Sequence, residues 1–464
     1  MRFDPLLLSR LQFVWVIAWH IVLPAMTVGL ASFIAVMETA HFLSGRPVYV
    51  RIASFWTRVF SVAFGMGVVS GIIMPFQLGT NWSRWSYATA NIVSPMLAYE
   101  GLTAFFLEAA FLGVLLFGRK LVPPWAHCVA AVMVAAGTLF STFWILVVNS
   151  WMQTPAGYAL VEGVFMPRDW LAIIFNPSFP TKLGHTVVGF YITTGFVVLS
   201  VSAWYLRRDR FVPEAQKMLS VTLWLLLGLV PAQIVLGDAS GLVTLREQPA
   251  KLAAIEARWE TGSAVPLTLF AIPDQAAAVN HLAIEIPVLG SLILTHDPAG
   301  TVRGLKDFPR SDWPPVIIPF FAFRIMVGVG PLMLGIVVVG TALRFGGRLF
   351  DHRGFLLTCQ FAAPLGFIGV LAGWVTTEVG RQPWTVYGLL RTADSVTPSL
   401  TGWNVALSLA AYVVTYAIIF PGGWFVASRI VQQGPTDIAV PDSPVGSGRP
   451  SSPVRAVPAE GDSA

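Results

Sequence analysis

Two glutamates, Glu100 and Glu108, stand inside an apolar run long enough to cross a bilayer. An ionisable side chain at that depth is costly and marks a functional site by default. In a uniform α-helix, eight residues set the two carboxyls about 80° apart around the axis and about 12 Å apart along it. Acids on neighbouring faces at different depths suit a proton relay, which is favoured over each pairing with an arginine from another helix, because one buried pair needs one acid. His20 lies in the first apolar run and His185 at the start of the fifth. His41, His127, His281, His296 and His352 fall in loops or at run edges. A lone histidine in a span serves as readily in a helix–helix hydrogen bond as in ligation. Met326 would ordinarily be packing, yet a Met/His pair is one way to hold a low-spin haem. Counted from starts near Pro180 and Pro319, His185 and Met326 fall within a few ångströms of one depth at about 1.5 Å per residue. Glu378 and Arg381 follow the eighth run, where a surface ion pair at the membrane edge would also explain them.

The elements that must position these residues are membrane spans. Of 464 residues, 55% are hydrophobic and 11% charged, against about 25% charged in a soluble domain. Nine stretches (roughly 11–37, 55–74, 96–117, 128–148, 184–206, 218–236, 316–343, 355–375 and 405–430) approach or exceed the length a bilayer demands. The expected fold is an all-α polytopic bundle of about nine transmembrane helices. Helices one to six occupy 1–236, a hydrophilic loop 237–315, and helices seven to nine 316–430. The tail, 431–464, is rich in Pro, Ser, Gly and Val and predicts disorder. Within the loop, Lys251–Glu260 predicts an amphipathic helix.

The connections 38–54, 118–127, 207–217 and 344–354 carry eleven Lys and Arg residues. The opposite short connections carry five: Arg84, Arg168, Lys182, Arg381 and Arg391. The positive-inside rule therefore sets the N-terminus and the 237–315 loop outside, and the C-terminal tail in the cytoplasm. A net charge of +5 spread between apolar runs does not suggest nucleic acid. Cys128 and Cys359 sit in or beside apolar runs and predict no disulfide, and no CxxCH motif exists for covalent haem. The first run is too long for a cleaved signal core.

Several long strings recur in one order: Ser9–Phe13 leading to His20, Gly79–Trp82, Glu100–Glu108, Trp144–Met152 and Gly237–Asp238. Lys251–Glu260, Ile272–Gln275, Phe321–Met326 and Gly380–Trp384 follow. From Ser9 to about Phe420 the chain resembles subunit I of the cytochrome bd quinol oxidases. The resemblance implies that His185 and Met326 are the axial ligands of a low-spin b haem beside the quinol site. It implies that His20 and Glu378 ligate two high-spin haems, one of them normally haem d, where O2 is reduced; members differ over which residue serves haem d. Glu100 and Glu108 match carboxyls near the haem pair and on its proton supply. Lys251 and Glu256 match loop residues of quinol oxidation, and Arg324, Trp374 and Arg381 match residues lining the haem sites. The second half of the loop, from Ile286 through Leu305 to Pro314-Pro315, is short. In the short-loop branch, which includes cyanide-insensitive oxidases, some members carry b haem in place of d.

The cofactors so implied are two b-type haems plus haem d or a third b haem, with quinol as substrate. The implied partners are a subunit II, in some members a very small third subunit, and the lipids of a bacterial cytoplasmic membrane. The expected chemistry oxidises quinol outside and reduces O2 with cytoplasmic protons, making a membrane potential without pumping. A haem-copper oxidase or a bc-type cytochrome b would need more membrane histidines than His20 and His185. The rival reading is a proton-coupled secondary transporter. It explains buried carboxylates, although the chain shows no inverted repeat.

Overall fold

The computed structural model describes residues 4–435; the rest of the predicted disordered tail lies outside them. Among the described residues, nine helices are long and apolar enough to cross a membrane: Pro5–Ser44, Pro47–Thr80, Ser83–Lys120, Pro124–Gln153, Phe179–Leu206, Val212–Glu247, Ile317–Phe345, Arg353–Val379 and Gly402–Gln433. They are called here the first to ninth spans. Each contains one predicted apolar run or its centre, and most extend well past it. The first and second spans are separated only by Gly45 and Arg46, so most of the predicted 38–54 connection is helix. The sixth span runs on to Glu247 instead of ending near residue 236. Helix extension beyond the apolar run is what backbone hydrogen bonding favours once a span reaches the polar membrane edge.

Strict alternation of the spans sorts the connections by side. Those after the first, third, fifth and seventh spans are short. Those after the fourth, sixth and eighth carry all the β-structure among the described residues, as four antiparallel pairs. These are 158–161 with 164–167, 262–263 with 301–302, 267–274 with 279–286, and 384–386 with 390–391. The all-helical reading of the bundle holds, and these hairpins decorate one end of it.

The fifth span sits centrally, close against two neighbours. A Cβ on Gly29 of the first span would lie 2.5 Å from Thr194 Oγ1, and one on Gly366 of the eighth would lie 2.5 Å from Thr193 Cα. Small residues allow such backbone approach where lipid supplies no hydrophobic drive for helix pairing. The main core joins Phe55, Trp56 and Phe60 to Phe196, Leu199, Tyr205 and Leu226, all buried. The predicted amphipathic helix is shorter, Pro249–Ile255, and is not amphipathic in place: Ala250 to Ile255 are all buried. It is an inward-facing plug of small and aliphatic residues. Cys128 and Cys359 are free thiols.

Candidate functional site

The third span is not a uniform α-helix. Glu100–Phe105 forms a π-helical turn, a feature that occurs mostly as a single-turn bulge and often at functional sites. One extra residue in that turn makes the eight-residue spacing behave like about seven, which is two turns. Glu100 and Glu108 thus share a face instead of standing about 80° apart. Their partners agree. Ser141 donates to Glu100 Oε1 at 2.7 Å, while a Cβ on Gly137 would meet Glu108 Cγ at 2.6 Å. Gly137 and Ser141 are one turn apart on the fourth span. Among the described residues, no salt bridge joins an arginine to either glutamate, and buried Glu108 Oε1 has no hydrogen-bond partner.

His20 points from the first span to the second. Its Nδ1 lies 2.9 Å from Ser70 Oγ, and a Cβ on Gly71 would stand 3.2 Å from its Cε1. Ser70 Oγ also lies within donating distance of the carbonyls of Met66 and Gly67, at 3.0 and 3.1 Å. With the hydroxyl proton committed there, the imidazole donates from Nδ1 and Nε2 keeps its lone pair.

His185 faces the sixth span. Gln233 Nε2 is 3.3 Å from its Nε2, and Gly237, one turn on, leaves room beside its Cε1. His185 Nδ1 and Gln233 Oε1 are buried without partners. Met326, in the seventh span, faces the eighth, where a Cβ on Gly373 would lie 2.9 Å from its sulfur. Trp374 follows Gly373, one turn before Glu378.

Glu378 and Arg381 are not a surface pair. Their side chains are 13% and 8% exposed, and they bond at 2.5 Å. Asn149 Nδ2 donates to Glu378 Oε1 at 2.9 Å, and Lys182 Nζ donates to Asn149 Oδ1 at 2.6 Å. Gln153 Nε2 reaches the same Glu378 oxygen at 3.5 Å. Lys251 Nζ donates to Gln153 Oε1 at 3.1 Å and Gln248 Oε1 at 3.2 Å. Three cations (Lys182, Lys251 and Arg381) therefore surround one carboxylate. Buried Arg381 Nε and Nη1 lack partners. Burial holds the Lys251 ammonium well below the ordinary lysine range; the Lys182 charge adds to this, and Glu378 opposes it.

Arg324 braces the loop. It donates to the carbonyls of Thr268 (2.6 Å) and Ile255 (2.6 Å), and to Glu256 Oε2 at 2.9 Å. Sequence reading had not singled out Ser70, Asn149, Gln153, Lys182, Gln233 or Gln248 as site residues. The usable signal is their polarity, Ser70 and Gln233 within spans and the others at or near span ends. At the opposite end of the bundle, Glu38 pairs with Arg119 and lies 3.4 Å from His127 Nδ1. Among the described residues no group of three or more His, Cys, Asp or Glu side chains could hold a metal ion by itself.

Fold and site together define a multi-pass membrane protein with ionisable and soft-ligand side chains spread through its bundle. Residues 8–435 match the family described as "Cytochrome bd terminal oxidase subunit I", and the chain belongs to that family. It is 33% identical over 441 residues to the "Cytochrome bd ubiquinol oxidase subunit 1" of Bacillus subtilis, covering 92% of this chain and 94% of the relative. It is 30% identical to the "Cytochrome bd-II ubiquinol oxidase subunit 1" of Escherichia coli, covering 93% and 97%. The solved structure of bd oxidase from Geobacillus thermodenitrificans superposes with a TM-score of 0.86 at 31% identity, over 93% of this chain and all of that one. Membership supports a terminal quinol oxidase subunit in a bacterial membrane, with haem cofactors, a quinol substrate and a subunit II. The transporter alternative finds no support in these relatives.

Proposed function

We propose that this chain holds the haems of a quinol oxidase: His185 and Met326 would hold the low-spin haem, and His20 and Glu378 the high-spin pair. The observation that carries the reading is the polar chain from Lys251 through Gln153 to Glu378, which links the quinol loop to an iron ligand. The donor set fits haem. Gly71, Gly237 and Gly373 let His20, His185 and Met326 approach closely, since a Cβ would stand 3.2 Å from His20 Cε1, 3.4 Å from His185 Cε1 and 2.9 Å from the Met326 sulfur. The unpartnered Arg381 Nε and Nη1 suit an anionic propionate, since an unsatisfied buried donor costs about 1–3 kcal/mol.

Bound haem would supply one-electron carriers and the iron at which O2 is reduced. The chain's own residues do the rest. Lys251, held toward its neutral form by burial, accepts a proton from quinol; Glu256, fixed by Arg324, orients the headgroup. Trp374 and Arg381 line the haem pocket. Glu108 and then Glu100 pass protons along one face of the third span toward the haems. By the positive-inside count, Lys251 lies outside and Glu108 toward the cytoplasm, so turnover builds a membrane potential without pumping. Three haems are expected, two of type b and a third of type d or b, with a subunit II and in some complexes a very small third subunit.

The test is a reduced-minus-oxidised spectrum of the detergent-purified complex, with pyridine haemochrome analysis. Haem b bands with a red-shifted chlorin band support the full reading. Haem b bands alone move it to the all-b branch, and absence of haem overturns it.

A further inference from the structure

From Ala264 to Thr295 the chain carries only two charged residues, Asp274 and Glu285. This segment forms the hairpin 267–274/279–286 and the short helix Leu289–Thr295. Its apolar side chains are not folded inward: Leu282 is 75% exposed, Ile284 59%, Leu269 48% and Leu292 45%. Polar side chains are few, Glu285 accepting from Thr268 Oγ1 at 3.0 Å. A water-facing segment of this length would carry more charge and expose fewer large apolar side chains. A contiguous exposed apolar surface marks a protein or membrane contact.

The depth of the segment decides between them. Arg324, which grips the Thr268 carbonyl, lies seven residues inside the seventh span, about 10 Å below its end. Phe270 meets the ring of Phe321 of the same span at 5.9 Å. The hairpin's turn sits higher, where Gln275 donates to the Pro314 carbonyl. After the short helix, His296 Nε2 contacts Asp238 at 3.1 Å; Asp238 is nine residues, or about 14 Å, before the end of the sixth span. The seventh span has 29 residues and the sixth 36, or about 43 and 54 Å, around a hydrocarbon core of about 30 Å. Centred on that core, the two helices enter hydrocarbon about 7 and 12 Å from their ends. Both anchors therefore fall close to the boundary between headgroups and acyl chains.

We infer that the hairpin and helix Leu289–Thr295 form an interfacial membrane anchor, laying Leu282, Ile284 and Leu292 into the lipid leaflet on the Lys251 side. The two-stranded sheet has open edges whose backbone groups need water or headgroups, so it stops at the interface and does not enter the hydrocarbon core. Partly buried interfacial elements of this kind sink about 5–10 Å. The occupant is phospholipid, because both anchors lie at the headgroup boundary and the sixth and seventh spans themselves expose Val235, Ile318 and Ile325 at that end. The inference goes beyond the oxidase reading and does not depend on the haem assignments.

The test places a nitroxide at Ile284→Cys and, separately, at Leu292→Cys in the purified complex, reconstituted in phosphatidylglycerol–phosphatidylcholine vesicles with Cys128→Ala as background. Glu260→Cys, at an exposed polar position of the same loop, is the water-side reference. Collisional relaxation by oxygen should exceed that by a water-soluble nickel chelate several-fold at positions 284 and 292, with the reverse at 260. Nickel access at 284 and 292 equal to that at 260 overturns the inference in favour of a water-exposed hairpin. Exclusion of both reagents overturns it in favour of a covering protein subunit.

Discussion

Lys251 Nζ and Gln153 Oε1 lie 3.1 Å apart, tying the buried helix Pro249–Ile255 to the last residue of the fourth span. The same Gln153 amide reaches Glu378 and accepts from Gln248 at 3.1 Å. One side chain thus spans the gap between a loop lysine and a carboxylate of the bundle. Replacing Gln153→Ala removes a hydrogen bond to a charged group, worth about 1.5–3 kcal/mol. The expected result is a fall of about ten- to a hundredfold in kcat/KM for quinol, with haem content retained. Steady-state oxygen consumption against quinol concentration measures it, and unchanged kinetics would remove Gln153 from the quinol side.

Lys251 gives a pH dependence of stability whose sign can be worked out. Burial first, then the Lys182 charge, keeps its folded-state proton affinity well below that of an ordinary lysine, which is about 10.4. The unfolded chain therefore binds more protons at this residue than the folded one, and stability rises with pH between the two values. That gain is complete above the unfolded value and is lost as pH falls through the folded one. Lys251→Met should flatten the rising limb of melting temperature below about pH 10. The comparison is thermal unfolding of both proteins in one detergent; parallel curves would refute the depressed lysine.

Glu108 has a buried carboxyl oxygen without a partner, on the same face as Glu100. A relay needs both groups, whereas a structural carboxyl would pair with an arginine, and among the described residues no salt bridge joins one to Glu108. Glu108→Ala is expected to slow oxygen turnover by about a hundredfold, the scale of a lost proton-transfer group, while the haem spectrum stays unchanged. Stopped-flow reaction of the reduced complex with oxygen distinguishes the cases. Loss of haem together with activity would assign Glu108 to the structure of the pocket.

The nine spans were legible because each exceeds or approaches the bilayer length in uninterrupted apolar residues. Their ends were not: Gly45 and Arg46 alone separate two helices where the apolar pattern predicts a longer loop. Span residues of mixed polarity carry no periodic signal, yet remain helical because the backbone is already committed. The shared face of Glu100 and Glu108 was hidden by the π-turn between them, since any spacing argument assumes a constant rise and twist. The individual ligand candidates stood out as chemistry inside apolar runs. Their supports, such as Gln153 and Gln248, were ordinary polar residues until the fold brought residues 153, 248 and 378 together. The hairpin at 267–286 left one local signal, the Asp274 turn, whose side chain accepts from Ala276 N and Ala277 N.

Ser70 offers the sharpest test of how His20 is held. When the serine hydroxyl gives its one proton to the Met66 or Gly67 carbonyl, it accepts from His20 Nδ1. That acceptor fixes the tautomer with a bare Nε2 and sets the ring plane, as partners of metal-bound histidines do. In Ser70→Ala the imidazole loses both constraints, because Gly71 beside it supplies no side chain to replace them. The variant should lose about ten- to a hundredfold in haem affinity or activity at that site, with a shift in the high-spin haem spectrum and its midpoint potential. Ser70→Thr keeps the hydroxyl and should restore both readouts. If Ser70→Ala leaves spectrum and potential unaltered, the hydrogen bond does not orient a ligand, and His20 holds its place by helix packing alone.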